Sequence, residues 1–247
     1  MSLFVISDLH LSTNASTNKS MEVFGKRWKN YVERIENNWK QLVSPEDTVV
    51  IPGDISWAMT LEEAREDFAF LDALPGQKII GKGNHDFWWS TQAKIDKFFA
   101  ENHFDTIRCL HNNAHFAEGF IICGSRGWYN DPDIHSIPSG TDYDKIVRRE
   151  AMRLEASFAF ADKNFPDNNA EKLVFLHFPP IFQDFRCEEI IEVLKAHHIK
   201  RCFYGHIHGP RNFPISFSEE GITFSLVAAD QIEFLPRHVP FSSILEK

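Results

Sequence analysis

Short apolar runs that alternate with amphipathic segments constrain the fold of this chain more than any other feature. The runs over 3–6, 48–51 and 78–81 have the length and composition of buried strands. Apolar residues at helical spacing follow the first run from Trp28. A capping box over 60–63 predicts the start of a second helix, and a third is predicted over about 91–101. This order predicts parallel strands connected by helical crossovers.

The pattern changes in the second half of the chain. Short runs over 106–110, 114–117 and 120–123 are predicted to form antiparallel hairpins, and 125–141 is predicted to be a loop. Later segments predict a helix over 142–160, a strand over 172–176, a helix over 187–197, and strands over 201–204 and 222–228, with a less regular tail from Asp230. No repeat or convincing linker interrupts this order, so we predict one domain over 1–247. The predicted fold class is α/β with αββα layering, in which two mixed sheets form a sandwich between outer helices.

Composition limits the kinds of partner. The net charge of −9 and the pI of about 5.7 argue against a general electrostatic grip on long nucleic acids. The 4 cysteines contain no C-x-x-C pair, and a reduced protein is the simpler expectation. Asp8 and His10 interrupt the opening apolar run too early for a signal peptide, and no apolar stretch is long enough to span a membrane. We therefore expect a soluble, cytoplasmic protein.

Polar side chains that can bind metals follow five of the predicted strands. The groups are Asp8-x-His10, Gly53-Asp54, Gly83-Asn84-His85-Asp86, His177, and Gly205-His206-x-His208. A single buried histidine or turn aspartate is more often structural, but five such strand ends in order are hard to explain as independent accidents. Carboxylate, imidazole and amide ligands without thiolate suit manganese, iron or zinc. The five groups predict a metal site at the carboxyl ends of the strands.

In this order, the five groups resemble the pattern of the calcineurin-like metallophosphoesterase superfamily, D-x-H, G-D, G-N-H-[DE], H and G-H-x-H. The resemblance covers residues 8–208. It implies a two-sheet sandwich flanked by helices and a pair of metal ions, Mn, Fe, Zn or a mixture. It also implies that one metal is held by Asp8, His10, Asp54 and His208, and the second by Asn84, His177 and His206. Asp54 would bridge the two metals.

The resemblance further implies a dinuclear phosphohydrolase that cleaves phosphomonoesters or phosphodiesters. Two cations roughly 3.5–4 Å apart clamp a phosphoryl group, and a metal-bridging hydroxide attacks phosphorus in line. His85 would protonate the leaving oxygen or stabilise the transition state. Asp86 would orient the ring of His85. The substrate would be a phosphorylated small molecule or a nucleotide, and the oligomeric state is left open.

Three alternatives stay open at this point. The first is a nuclease or nucleotide pyrophosphatase of the same superfamily, because the acidic charge disfavours long polymers only. The second is a non-catalytic metal-binding scaffold, and the third is a redox metalloprotein. The complete ligand set favours catalysis over the scaffold.

Several residues near these groups are candidates for substrate contacts. Arg126, Trp128 and Tyr129, followed by Asn130, would form a substrate wall in which Arg126 pairs with phosphate. The alternative is that the two aromatic rings belong to the core. Trp88 and Trp89 are expected to pack around the site. The loops 11–20 and 125–141 are either lids or solvated connectors. A basic group is expected on an exposed helix face: Lys145, Arg148, Arg149 and Arg153.

Overall fold

The structure, a computed structural model, describes residues 1–14, 19–129, 142–166, 169–210 and 213–241. The helices in these ranges are α1 (Tyr31–Leu42), α2 (Arg65–Ala73), α3 (Gln92–Glu101), α4 (Tyr143–Asn164) and α5 (Glu188–Ala196). The strands are β1 (Leu3–Val5), β2 (Thr48–Ile51), β3 (Gln77–Ile80), β4 (Ile107–Cys109), β5 (His115–Ala117), β6 (Phe120–Ser125), β7 (Glu171–Leu176), β8 (Ile181–Phe182), β9 (Phe185–Arg186), β10 (Arg201–Tyr204), β11 (Ser216–Glu219), β12 (Ile222–Leu226) and β13 (Arg237–His238).

Two mixed sheets contain most of these strands. The first has the order β13-β1-β2-β3-β4, in which β1 to β4 are parallel and β13 is antiparallel to β1. The second has the order β11-β12-β10-β7-β6-β5, with antiparallel strands β5 and β11 at its edges. Strands β8 and β9 form a separate hairpin. The predicted pair of mixed sheets with flanking helices is confirmed.

Alternation along β6 shows how the layers pack. Phe120 and Ile122 belong to the hydrophobic cluster that contains the first sheet, whereas Ile121 and Cys123 belong to the cluster that contains α4 and α5. Successive side chains of a strand point to opposite faces, so the second sheet is apolar on both faces. One face packs on the first sheet and the other is covered by α4 and α5. Helices α1, α2 and α3 pack with the first sheet.

The two sheets meet where β1 and β12 end. Ser7 and Ala228 form a parallel bridge between them. The Ser7 backbone N donates to the Val227 carbonyl at 2.8 Å, and the Ala229 backbone N donates to the Ser7 carbonyl at 2.9 Å. This seam lies at the carboxyl ends of the parallel strands, so the loops that follow those strands in both sheets converge on it.

The predicted hairpin between 106–110 and 114–117 is wrong. Strand β4 pairs in parallel with β3, whereas β5 pairs with β6 in the other sheet. The side chain of Asn113 accepts from the His111 backbone N at 2.7 Å and donates to the Cys109 carbonyl at 3.0 Å. This local turn carries the chain from one sheet to the other instead of folding β4 back on β5.

Two helices begin later than predicted. Lys26–Trp28 is a 3₁₀ helix, and α1 begins at Tyr31. The backbone N of Glu63 donates to Thr60 Oγ1 at 3.2 Å, as the capping box predicts, but Glu63 Oε2 accepts from the Met59 backbone N at 2.8 Å. The reciprocal bond of the box is therefore made one residue earlier, and α2 begins only at Arg65. The short strands β8, β9, β11 and β13 were not predicted.

Candidate metal centre

All of the predicted metal ligands lie in loops that follow the carboxyl ends of β1, β2, β3, β7 and β10. The first sheet contributes Asp8, His10, Asp54 and Asn84, and the second contributes His177, His206 and His208. Parallel strands bring such loops to one edge of a sheet, and the seam brings the two edges together. The order of the strands therefore assembles the site from groups that lie far apart in the sequence.

The described residues form two groups of side chains. Within each group, the ligand atoms lie within 4.8 Å of one another. The first group is Asp8, His10 and His208, and the second is Asp8, Asp54 and His177. His10 Nε2 lies 3.2 Å from His208 Nε2, and His208 Nε2 lies 3.4 Å from Asp8 Oδ1. These distances suit side chains that surround a common ion.

Asp54 belongs to the second group and also lies close to His10 of the first. Its Oδ2 atom is 3.6 Å from His10 Nε2 and 3.5 Å from His177 Nε2. The Oδ1 atom of Asn84 lies 2.6 Å from the same His177 nitrogen. This is where a bridging carboxylate is needed, and Asn84 adds an oxygen ligand without adding charge.

His206 is placed differently. Its backbone N donates to both carboxylate oxygens of Asp8, at 3.0 and 3.1 Å. Its ring centroid lies 5.2 Å from that of His177 and 4.6 Å from that of Phe178. Within the described ranges, the two groups of ligand atoms do not include His206. Its assignment as a metal ligand stays a prediction.

The carboxylates of the centre are buried close to one another. Asp8 and Asp54 are 0% and 1% exposed. Burial, followed by the negative charges of Asp8 and Asp86, raises the pKa of Asp54 well above its usual range. Clustered anions without solvent are costly unless cations compensate them. This charge arrangement fits divalent or trivalent metal ions.

The buried imidazoles fit the same group. Burial and the neighbouring His208 lower the pKa of His10, and burial and His206 lower the pKa of His177. Both rings are therefore neutral, which is the form that binds metals. The Nδ1 atoms of His10 and His177 are buried and have no hydrogen-bond partner among the described residues. The donor set is oxygen and nitrogen without sulfur, which suits manganese, iron or zinc.

The carboxylate of Asp86, which is predicted to orient the His85 ring, is bonded to the backbone around the candidate site. The carboxylate accepts hydrogen bonds from Gly83 N at 2.7 Å, Asp54 N at 2.8 Å and Trp88 Nε1 at 3.0 Å. It also accepts from the backbone N atoms of Ile55 and Ser56, at 2.8 and 3.3 Å. A carboxylate has about four lone-pair sites, so these five donors fill it. Asp86 therefore positions the loops that carry Asp54 and Asn84 against each other, and its role toward the His85 imidazole stays a prediction.

His85 borders the centre. Its backbone N donates to Asp54 Oδ1 at 2.8 Å. Its ring centroid lies 5.5 Å from that of His10 and 4.3 Å from that of Trp57. The side chain is half-buried, so it can meet both the ligand cluster and an incoming molecule.

Asp230 is a residue of the site that the sequence reasoning missed. Its Oδ1 atom lies 2.7 Å from His208 Nδ1, and its side chain is 0% exposed. Although burial lowers the pKa of His208, hydrogen bonds to Asp230 and Asp8 raise it to about 10. Carboxylates in this position orient metal-binding histidines. The rule used for the other ligands, a polar residue soon after a strand, applies to Asp230 after β12 and would have found it.

The loops of the centre are tightly folded. Asp8, His10, Asp54 and His206 have φ values of 60°, 46°, 52° and 70°, in the left-handed region that non-glycine residues seldom occupy. A Cβ atom on Gly83 would lie 2.0 Å from Asp54 Oδ1. Such strain concentrates at functional sites, where the surrounding structure holds it.

The predicted substrate wall lies beside His177. The Arg126 carbonyl accepts from the backbone N of His177 at 3.1 Å and from that of Phe178 at 2.9 Å. The Tyr129 ring is 5.7 Å from that of His206, and the Trp128 ring is 5.7 Å from that of Phe178. All three side chains therefore border the centre. Asn130 lies outside the described residues, as do 15–18 and 131–141 of the two loops predicted as lids or connectors.

Expectations for the cysteines, for Trp88 and for membrane-spanning helices can also be compared with the structure. All four cysteines are free and buried, which confirms that they form no disulfide framework. Trp88 is 2% exposed, and it packs edge-on against Phe68 with 4.8 Å between centroids. Within the described ranges, no helix has the length and apolar character required to cross a bilayer.

Solved structures share this fold at low sequence identity. The phosphopantetheinyl hydrolase of Mycobacterium tuberculosis is 15% identical with a TM-score of 0.56, covering 98% of this chain and 96% of its own. A protein of Thermus thermophilus is 10% identical with a TM-score of 0.50, covering 96% and 97%. A protein of unknown function from Aquifex aeolicus is 19% identical with a TM-score of 0.49, covering 96% and 95%. The first two likenesses show a shared fold and nothing further.

The comparison with curated proteins finds no match. The family model described as calcineurin-like phosphoesterase matches residues 1–210. This range contains every predicted metal ligand together with His85, and the resemblance that the motifs indicate is confirmed. The chain therefore belongs to the calcineurin-like phosphoesterase family.

Proposed function

We propose that this protein is a dinuclear metal-dependent phosphohydrolase that cleaves phosphomonoesters or phosphodiesters. One observation carries the proposal: two groups of possible ligands share Asp8, and Asp54 of the second group has one oxygen within 3.6 Å of a nitrogen from each group. Such an arrangement suits a pair of ions better than a single ion. Membership of a family of metal-dependent phosphoesterases supports the same chemistry.

The side chains have distinct proposed roles. Asp8, His10 and His208 would hold one ion, Asn84 and His177 would hold the other with His206, and the Asp54 carboxylate would be shared by both. When bound, two metal ions clamp a phosphoryl group and lower the pKa of bound water, which supplies a nucleophile at neutral pH. The buried carboxylates would attract the cations to this site, and the neutral imidazoles of His10 and His177 would add ligands without adding charge.

His85 is the proposed proton donor to the leaving oxygen. Its backbone N is bound to Asp54 Oδ1, which fixes it beside the bridging carboxylate. Its ring packs against that of Trp57 with 4.3 Å between centroids, which limits the directions that the imidazole can take. The proposed role of Asp86 is indirect: it fixes the turn that carries His85.

The decisive experiment combines metal analysis with hydrolysis of an aryl phosphomonoester and an aryl phosphodiester, with added Mn²⁺. We expect about two metal ions per chain and turnover of at least one ester, lost on chelation and restored by metal. Two bound metals without hydrolysis under any metal condition would instead favour the non-catalytic scaffold. Faster cleavage of a dinucleotide or nucleoside diphosphate than of either aryl ester would favour the nuclease or nucleotide pyrophosphatase.

We also propose a cytoplasmic location. Four free, buried cysteines suit a reducing compartment. Subcellular fractionation of the native host tests this, and recovery of the protein in an oxidising compartment would contradict it.

A further inference from the structure

Three arginine side chains converge on one oxygen of a buried glutamate in α4. Arg153 Nη1 lies 2.8 Å from Glu150 Oε1, Arg126 Nη2 lies 3.4 Å from it, and Arg149 Nε lies 3.8 Å from it. The Glu150 side chain is 0% exposed. The sequence predicts an exposed basic face on this helix, but the structure places part of that face in a cluster with Arg126.

This arginine cluster (Arg126, Arg149, Arg153 and Glu150) borders the metal centre. Strand β6 pairs with β7 as far as Ser125 and Leu176, so Arg126 follows directly beside His177. The Arg126 carbonyl accepts the His177 backbone N at 3.1 Å, which fixes this neighbourhood.

The charges in the cluster do not balance. One carboxylate faces three guanidinium groups, and Lys82 interacts electrostatically with Arg126 and Arg153, which leaves an excess of positive charge. The chain as a whole has a net charge of −9, so this excess is a local feature and not a general property. A phosphate group carries about −1.5 to −2 at pH 7, which would compensate it. Arginine also offers paired N–H donors that match phosphate oxygens.

Two buried donors in the same place lack an acceptor. Arg126 Nε and Trp128 Nε1 have no hydrogen-bond partner among the described residues. The Arg126 guanidinium carbon lies 5.8 Å from the centroid of the Trp128 ring. Buried N–H groups are nearly always satisfied, so an acceptor-rich ligand is the expected partner. The side chain of Arg126 is 18% exposed and that of Arg153 is 31% exposed, which leaves both within reach of such a ligand.

We propose that Arg126 and Arg153, aligned by Glu150, bind a second phosphate group of the substrate. The substrate would then carry one phosphate at the metal centre and another at the arginine cluster. This inference rests on the proposed phosphohydrolase function and narrows its substrate class to compounds with two phosphate groups.

The test measures ligand binding, so it does not depend on turnover. Metal-loaded protein is titrated by calorimetry with a short series of α,ω-alkanediphosphonates and with alkylphosphonates of the same carbon number. The series varies the distance between the two anionic groups. We expect at least one diphosphonate to bind about 10- to 100-fold more tightly than its matched monophosphonate, the range for charge-assisted hydrogen bonds in a partly buried site.

Variants of α4 and of the loop after β6 locate the effect. Arg126→Gln and Arg153→Gln should each reduce the preference for the diphosphonate to within a few-fold. The matched control is Arg148→Gln, an exposed residue of the same helix, and it should keep the preference. A thermal melt of each variant checks that the fold is retained.

The outcomes separate this inference from the function on which it rests. If the monophosphonates bind and an aryl ester is hydrolysed, but no diphosphonate is preferred, the subsite is refuted and the phosphohydrolase stands. A preference that survives in both arginine variants also refutes the subsite. If no phosphonate binds and no ester is hydrolysed, both proposals fail.

Discussion

The two sheets contribute different chemistry to the metal centre. Among the predicted metal ligands, the first sheet supplies both carboxylates, Asp8 and Asp54, whereas the second supplies only imidazoles, His177, His206 and His208. Asp8 and Asp54 have side chains that are 0% and 1% exposed, but the side chain of His208 is 27% exposed. The first sheet therefore sets the negative charge of the centre. On the second sheet, the side chain of His177 is 0% exposed, and that of His208 lies nearer to solvent.

The residues that hold the predicted ligands in place also differ between the two sheets. On the first sheet, the carboxylate of Asp86 is bonded to the backbone on both sides of Asp54. On the second sheet, His208 is supported by a side chain, Asp230, which is itself within 3.4 Å of the exposed Arg27. The Asp86 carboxylate accepts from four backbone N atoms and from Trp88, whereas a single hydrogen bond joins Asp230 to His208. We therefore expect mutations on the first sheet to remove function and those on the second to tune it.

The largest effect is expected for Asp54→Asn. The amide keeps the shape of the side chain but removes the bridging negative charge, so the two cations would repel each other. We expect loss of at least one metal ion, measured by elemental analysis, and a fall in turnover well above the roughly 100-fold that supporting residues produce. Asp105→Asn, an exposed change at the opposite end of the strands, is the matched control. Full metal content with near-normal turnover would refute the bridging role.

His85→Asn should separate catalysis from metal binding. Both metal ions are expected to remain, while turnover falls by about 10²- to 10⁴-fold, the range for general acid catalysis. The loss should be greater for an alkyl phosphate than for a nitrophenyl phosphate, because a good leaving group needs no proton. Equal losses on both substrates would argue against proton donation by His85.

Asp230→Asn tests the weaker support on the second sheet. Loss of the carboxylate should weaken metal binding by about 10- to 100-fold, with turnover recovered when metal is added to saturation. Titration of the metal-free protein measures the affinity, with Asp105→Asn again as the control. If saturating metal did not restore turnover, Asp230 would have a role beyond holding His208.

The pH dependence of metal binding probes the same residue. Since Asp230 and Asp8 outweigh burial and raise the pKa of His208 to about 10, metal must displace a proton below that pH. Affinity should rise by about tenfold per pH unit between pH 7 and 9 for one displaced proton. In the metal-free protein, the stabilisation from protonated His208 is full below its unfolded pKa of about 6.5 and is lost towards pH 10. An affinity that is constant with pH would contradict this account.

The smallest change is Trp88→Phe, which removes one donor from Asp86. The new phenyl ring can still pack against Phe68. We therefore expect the free energy of unfolding to fall by about 1.5–3 kcal/mol, the value for a hydrogen bond to a charged group. Trp39→Phe is the matched control, because Trp39 Nε1 donates to the neutral Pro75 carbonyl at 2.9 Å. That variant should lose about 0.5–1.5 kcal/mol. Chemical denaturation measures both, and a reversed order would show that Asp86 does not depend on Trp88.

The sequence predicts the site better than the supports around it. Asp8, Asp54 and His177 each follow an apolar run, and that local pattern is enough to place them at strand ends. The partners of Asp86 come from two separate loops, so no local pattern reveals them. Asp230 also follows an apolar run, so the same pattern would have placed it at a strand end, but no local pattern reveals that it bonds His208. The pairing of β4 was mispredicted for the same reason, because sheet membership depends on contacts distant in sequence.

The bridge between Ser7 and Ala228 links fluctuations that separate the two sheets to the geometry of the candidate metal centre. Any fluctuation that parts the sheets at this seam must also part Asp8 from His177 and His208, since those residues follow strands on opposite sides of it. Metal ions bound across the seam would oppose that opening by mass action. Hydrogen exchange at the amides of Ser7 and Ala229 should therefore slow as metal is added. The exchange rates of these two backbone amides would then measure metal occupancy, although neither residue is a predicted metal ligand.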